Sequence, residues 1–185
     1  MAAVKMSAAS RTAIGAMAAA LSVVILIPTA LDVFVYALPA FAGMITLFCV
    51  IELNKKWALG VYTAVSLLSL ILVPNKEAAV LYITFFGYYP VLKSALEKCK
   101  VRAVEYLLKF LCFNVSVVLS YLFLVFVFGI SVEQLFGEDL TRVMYVLLPV
   151  LMNVMFITYD LCLTRMYTVY IRVWQKRFHK MFRFR

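Results

Sequence analysis

Asp160 is the only acid deep inside an apolar stretch of this chain. A carboxylate in hydrocarbon is costly, so it is either paired with a cation or put to use. Lys109 and Lys93 fall at a similar depth once the apolar stretches are laid side by side, and Arg165 is about one turn beyond Asp160. The expectation is a structural ion pair, Asp160 with Lys109. A proton or ion site is the sharper alternative, and no second intramembrane acid supports it. Asn114 and Asn153 sit nearer the middle of their stretches, where an amide needs a partner. They can bond each other as interhelical glue, or bond a ligand. Tyr88 and Tyr89 bring hydroxyls beside Pro90. Tyr36, Asn75, Lys76, Glu77 and Tyr82 gather at one end of their stretches, near an acidic loop with Glu133, Glu138 and Asp139. A small ligand arriving from that end would meet them first.

These residues do not offer catalysis. The one histidine, His179, has no cysteine or acid at metal-ligand spacing. Cys49, Cys99, Cys112 and Cys162 form no CxxC pair and read as reduced thiols. There is no glycine-rich phosphate loop, so the chain does not itself hydrolyse ATP. No Ser/His/Asp set and no paired intramembrane carboxylates are present. An enzyme is not expected, nor a metal or a cofactor.

The elements that carry these residues follow from composition. The chain is 66% hydrophobic and 15% charged, with a mean hydropathy of +1.00. No soluble domain of 185 residues has that balance. It reads as a single all-α membrane domain, a bundle of six spans over about 10–27, 36–53, 57–73, 77–97, 103–130 and 141–164. A basic amphipathic tail over 165–185 continues the sixth span and suits an anionic inner leaflet. Of the 18 lysines and arginines, only Lys76 and Arg142 then lie outside. The positive-inside rule therefore places both termini in the cytoplasm. The net charge of +9 is explained by the lipid surface and not by nucleic acid. Ala40-Phe41-Ala42 resembles a signal-peptide cleavage site. It lies far from the start, behind Pro28, Asp32 and Pro39, so the first run is read as a span.

Two spans carry particular expectations. The fourth contains Gly87-Tyr88-Tyr89-Pro90, where proline removes a donor and frees the carbonyl near Phe86. Lipid cannot satisfy that carbonyl, so this kinked helix should lie inside the bundle. The first span places Gly15 and Ala19 four apart, and Ala16 and Ala20 likewise. Small residues at that spacing let a second helix approach closely, either within the bundle or from a partner.

The alanine-rich AIGAMAAALSVV, six spans in 185 residues, the basic inner connections and the inside termini resemble the substrate-binding S components of energy-coupling factor transporters. The resemblance implies that Gly15, Ala16, Ala19 and Ala20 meet a transmembrane coupling subunit, driven in trans by two cytoplasmic ATPases. It also implies a bacterial cell membrane, and a vitamin-type ligand captured from outside, with Tyr36, Asn75, Glu77, Tyr82, Tyr88, Asn114 and Asn153 as the candidates to hold it. The N-terminal histidine of nickel- and cobalt-specific members is missing, and no aromatic-polar set names one vitamin. The alternative is a cell-envelope scaffold without a ligand, similar to rod-shape morphogenesis proteins of comparable size.

Overall fold

The computed structural model describes residues 7–32, 34–99, 101–129 and 142–175, with side chains from 147 onward in the last helix. The acidic loop, Lys5, and the tail beyond 175 with His179 lie outside the described residues. Every regular element among the described residues is helical. Helix α1, Ala8–Leu26, starts where the Ser7 hydroxyl accepts the Ser10 N–H. It tightens into a 3₁₀ turn, Ile27–Leu31, which holds Pro28 and stops at Asp32 in the left-handed region. Helix α2 is Ala37–Glu52 and α3 is Lys55–Leu72. Between them Asn54 turns the chain at φ 120° and caps α3, accepting from Lys56 and Trp57. Asn75 caps α4, Lys76–Leu81, in the same manner. A π-helical turn, Tyr82–Phe86, and the pair Gly87-Tyr88 lead into α5, Tyr89–Leu96. Helix α6, Arg102–Phe128, ends at Gly129 with φ 65°. Helix α7, Arg142–Val169, runs into a second π turn, Tyr170–Trp174.

Five helical stretches are long and apolar enough to cross a membrane: Ala8–Leu31, Lys55–Leu72, Lys76–Leu96, Arg102–Phe128 and Leu147–Trp174. Helix α2 is apolar but has 16 residues, about 24 Å of helix. That is shorter than the roughly 30 Å hydrocarbon core. Its position accounts for its length. It packs against α1, α3, α4, α5 and α7 and stands between two apolar cores. Ala42, Cys49 and Leu53 join the core built with α1 and α3. Leu47 joins Phe85, Tyr89, Phe113, Phe156, Tyr159 and Leu163 in the other. A helix surrounded in this way meets little lipid and is free of the length rule.

The stretch over 76–96 also lies inside, with half of its most apolar window buried, the largest share of the five. Its interruption is wider than Gly87-Tyr88-Tyr89-Pro90 alone. The register changes at Tyr82, where the Gly87 N–H bonds the Tyr82 carbonyl five residues back. The carbonyls that this leaves accept from neighbours. Tyr62 donates to the Ile83 carbonyl at 2.7 Å and Tyr159 to the Phe86 carbonyl at 3.5 Å. Gly43 on α2 makes room for the second contact, since a Cβ there would meet the Phe86 oxygen and lie 2.5 Å from the Tyr159 hydroxyl.

At the other end, the last expected span and the first part of the tail form one continuous helical stretch. The helix passes through Arg165 without a break, and beyond it Tyr170 packs on α2. The Tyr170 ring sits edge-on to Phe48 at 5.5 Å.

Candidate functional site

The groups best able to do chemistry meet where α5, α6 and α7 converge. Lys93 is on α5, one turn past Tyr89, and Glu97 follows it at i+4. Glu105 and Lys109 are also four apart on the first turns of α6. Pairs at that spacing face each other on one side of a helix. Asp160 comes from the middle of α7. Lys93 donates to Asp160 Oδ1 and to its main-chain carbonyl at 3.2 Å. Tyr89 donates to the same Oδ1 at 2.6 Å. Lys109 stands 3.4 Å from Asp160 Oδ2, 2.7 Å from Glu105 and 3.6 Å from Glu97. Both lysine side chains are 4% exposed and Asp160's is 13% exposed.

The expected pair of Asp160 with Lys109 is therefore present, but it is the longer of two. Lys93 is the nearer cation, and Lys109 belongs first to Glu105. Three carboxylates face two ammoniums, and each group has a partner within the cluster. Such a network holds three helices together. Breaking it leaves a buried charge unmatched, which costs far more than the intact pairs gain. Glu97 and Glu105 were not singled out as members, although the i,i+4 spacing of each with a lysine was a readable signal. Above the network Phe85 is ringed by Phe86, Tyr89, Phe113, Phe156 and Tyr159 with centroids 4.7–6.0 Å apart. Most of these meet edge to face, the arrangement that aromatic quadrupoles favour.

The candidate ligand residues are not brought to one cavity. Tyr82 is fully buried and shares a hydrogen bond with Thr46 at 3.3 Å. Tyr88 bonds Ser116 at 2.6 Å in a polar seam with α6, where Thr84 and Ser120 form a second rung at 2.6 Å. Asn114 and Asn153 pair with each other at 3.2 and 3.5 Å. Their remaining N–H groups bond the Phe110 and Pro149 carbonyls. Asn75 caps α4 and donates to Asp32 Oδ1 at 2.8 Å. Lys76 closes the end of α3, donating to the Leu70 and Val73 carbonyls at 2.9 and 3.0 Å. Tyr36 and Glu77 do meet. The Tyr36 phenol hydrogen-bonds the Glu77 carboxylate.

The small residues of α1 divide between two faces. Gly15 and Ala19 are buried in the packing of α1 on α2 and α3, and Val61 touches the space above Gly15. Ala16 and Ala20 are exposed, in line with Ala13 and Thr12. Among the described residues no group of three His, Cys, Asp or Glu could hold a metal ion. The four cysteines are free thiols. No family model, no curated relative and no solved structure matches the chain.

Proposed function

We propose that this protein is a subunit of a bacterial membrane complex, a six-span bundle with both termini in the cytoplasm and a fourth span kinked near Pro90. In this reading α2 is the sixth crossing, short because its neighbours surround it. Its working surface is the outer face of α1. The observation that carries the proposal is the division of that helix. Gly15 and Ala19 are consumed by internal packing, whereas Ala16 and Ala20 remain open at the spacing that admits a partner's helix.

Two forms of the complex are compatible with that surface. One is the transport form implied by the resemblance, with a transmembrane coupling subunit, cytoplasmic ATPases in trans and a micronutrient ligand. The other is a scaffold of the cell envelope that binds proteins only. The internal pairing of Tyr82, Tyr88, Asn114 and Asn153 favours the scaffold, since a ligand would have to displace existing hydrogen bonds. Native mass spectrometry on protein purified gently from its own membranes separates the forms. A vitamin-sized mass together with a coupling subunit and ATPases would establish transport. Envelope proteins without a small molecule would establish the scaffold. A protein that captures no partner, in wild type and in Ala16→Leu alike, would overturn both.

A further inference from the structure

Between α1, α2 and the end of the last helix runs an open apolar groove of about 380 Å³. Met17 and Leu21 form one wall, Met44 and Phe48 the floor, and Met166 and Tyr170 the other wall. The volume is that of a small-molecule site, yet no charged residue occurs on α1 from Ile14 onward or on α2 before Glu52. The polar groups collect at one end. There the Tyr170 hydroxyl donates to Glu52 at 2.9 Å. Arg11 lies on the same stripe of α1 as Ile14, Ala18 and Leu21 and is only partly exposed. Lys55 and Lys56 open α3 just after Glu52.

We propose that this groove holds an acyl chain of a phospholipid with an anionic headgroup, whose phosphate rests among Arg11, Lys55 and Lys56. The ligand must be long and apolar to fill the groove and negative at one end to match these three cations set against Glu52. Basic pockets between spans on the inner side bind such headgroups. Three methionines suit an acyl chain, because their unbranched side chains adapt to its many conformers. The proposal shares with the functional reading only the premise that the chain crosses a bilayer.

The test uses the full chain alone, in detergent supplied with equal phosphatidylglycerol and phosphatidylcholine, read by native mass spectrometry. One phosphatidylglycerol should stay bound at collision energies that strip phosphatidylcholine. Arg11→Gln and Lys56→Gln should each lower that preference about fivefold. Met17→Trp, at a wall position 58% exposed, should reduce retention of both lipids with helix content unchanged by circular dichroism. Equal retention of the two lipids by the wild type overturns the proposal without any variant. So does a preference that survives both Arg11→Gln and Lys56→Gln. Because no partner is present, failure here leaves the proposed complex untouched, and absence of a partner leaves the lipid site untouched.

Discussion

Asp160 accepts from Lys93, Tyr89 and Lys109, and these three donors are unequal. Removing the carboxylate leaves the buried Tyr89 hydroxyl without its acceptor and Lys93 with only the half-exposed Glu97 as a carboxylate partner, so Asp160→Ala should lower stability by about 3 kcal/mol. Lys93→Met should cost nearly as much, since Lys93 is the nearer cation. Lys109→Met should cost about 2 kcal/mol, because Glu105, whose side chain is 15% exposed, loses its nearest cation. Asp160 then keeps Lys93 and Tyr89, and Glu97, whose side chain is 43% exposed, can turn to water. Thermal unfolding in detergent checks the order. Equal losses for the two lysines would make Lys109 the principal partner after all. An unchanged melting temperature for Asp160→Ala would mean that the cluster does not hold the helices together.

Among the elements, the interrupted helix over 76–96 relies on its neighbours for donors that its own backbone lacks. Its closest approach is to α2 at Gly43, where an added methyl would strike the Phe86 carbonyl. A backbone oxygen held from two sides cannot yield as a flexible side chain can. Gly43→Ala should therefore destabilise by about 2 kcal/mol. Gly60 on α3 is the control, with nothing within 4 Å of an added Cβ. Gly60→Ala should be neutral or stabilise by up to about 1 kcal/mol through helix propensity. The pair of variants, compared by the same unfolding measurement, separates close packing from any general intolerance of substitution. If Gly43→Ala is as mild as Gly60→Ala, α2 does not press against the interruption.

The molecule as a whole presents large apolar side chains outward, among them Ile71, Leu107 and Phe126, at 77%, 69% and 82% exposure. Lipid is the solvent that tolerates such faces. The proposed topology, six crossings with inside termini, would put the connection after α5 in the cytoplasm, and Cys99 in that connection is exposed. A membrane-impermeant thiol reagent should leave Cys99 unmodified in intact cells and label it once the membrane is opened. Cys49 is buried and should stay unlabelled in both. Ala30→Cys, in the connection after α1, should react in intact cells. Labelling of Cys99 from outside would reverse the topology. Reporter fusions on opposite sides at the two termini would reduce the crossings to an odd number.

What the sequence by itself determined is local. Hydropathy set the helical class and, except at the end of the last helix, the helix limits to within a few residues. Ser7, Asn54 and Asn75 cap helices because their side chains reach the next free N–H groups, a relation of two or three positions. Lys93–Glu97 and Glu105–Lys109 are likewise fixed by helical spacing. Proline at 90 required outside help for the Phe86 carbonyl, and that too could be foreseen. Which donor would supply it could not, because Tyr159 is 73 residues away along the chain. The same holds for the choice of Lys93 over Lys109, for the decision between the two partners open to Asn114 and Asn153, each other or a ligand, and for the central place of α2. Each depends on how helices far apart in sequence are rotated about their axes when they pack, and a single helix carries no record of its neighbour's rotation.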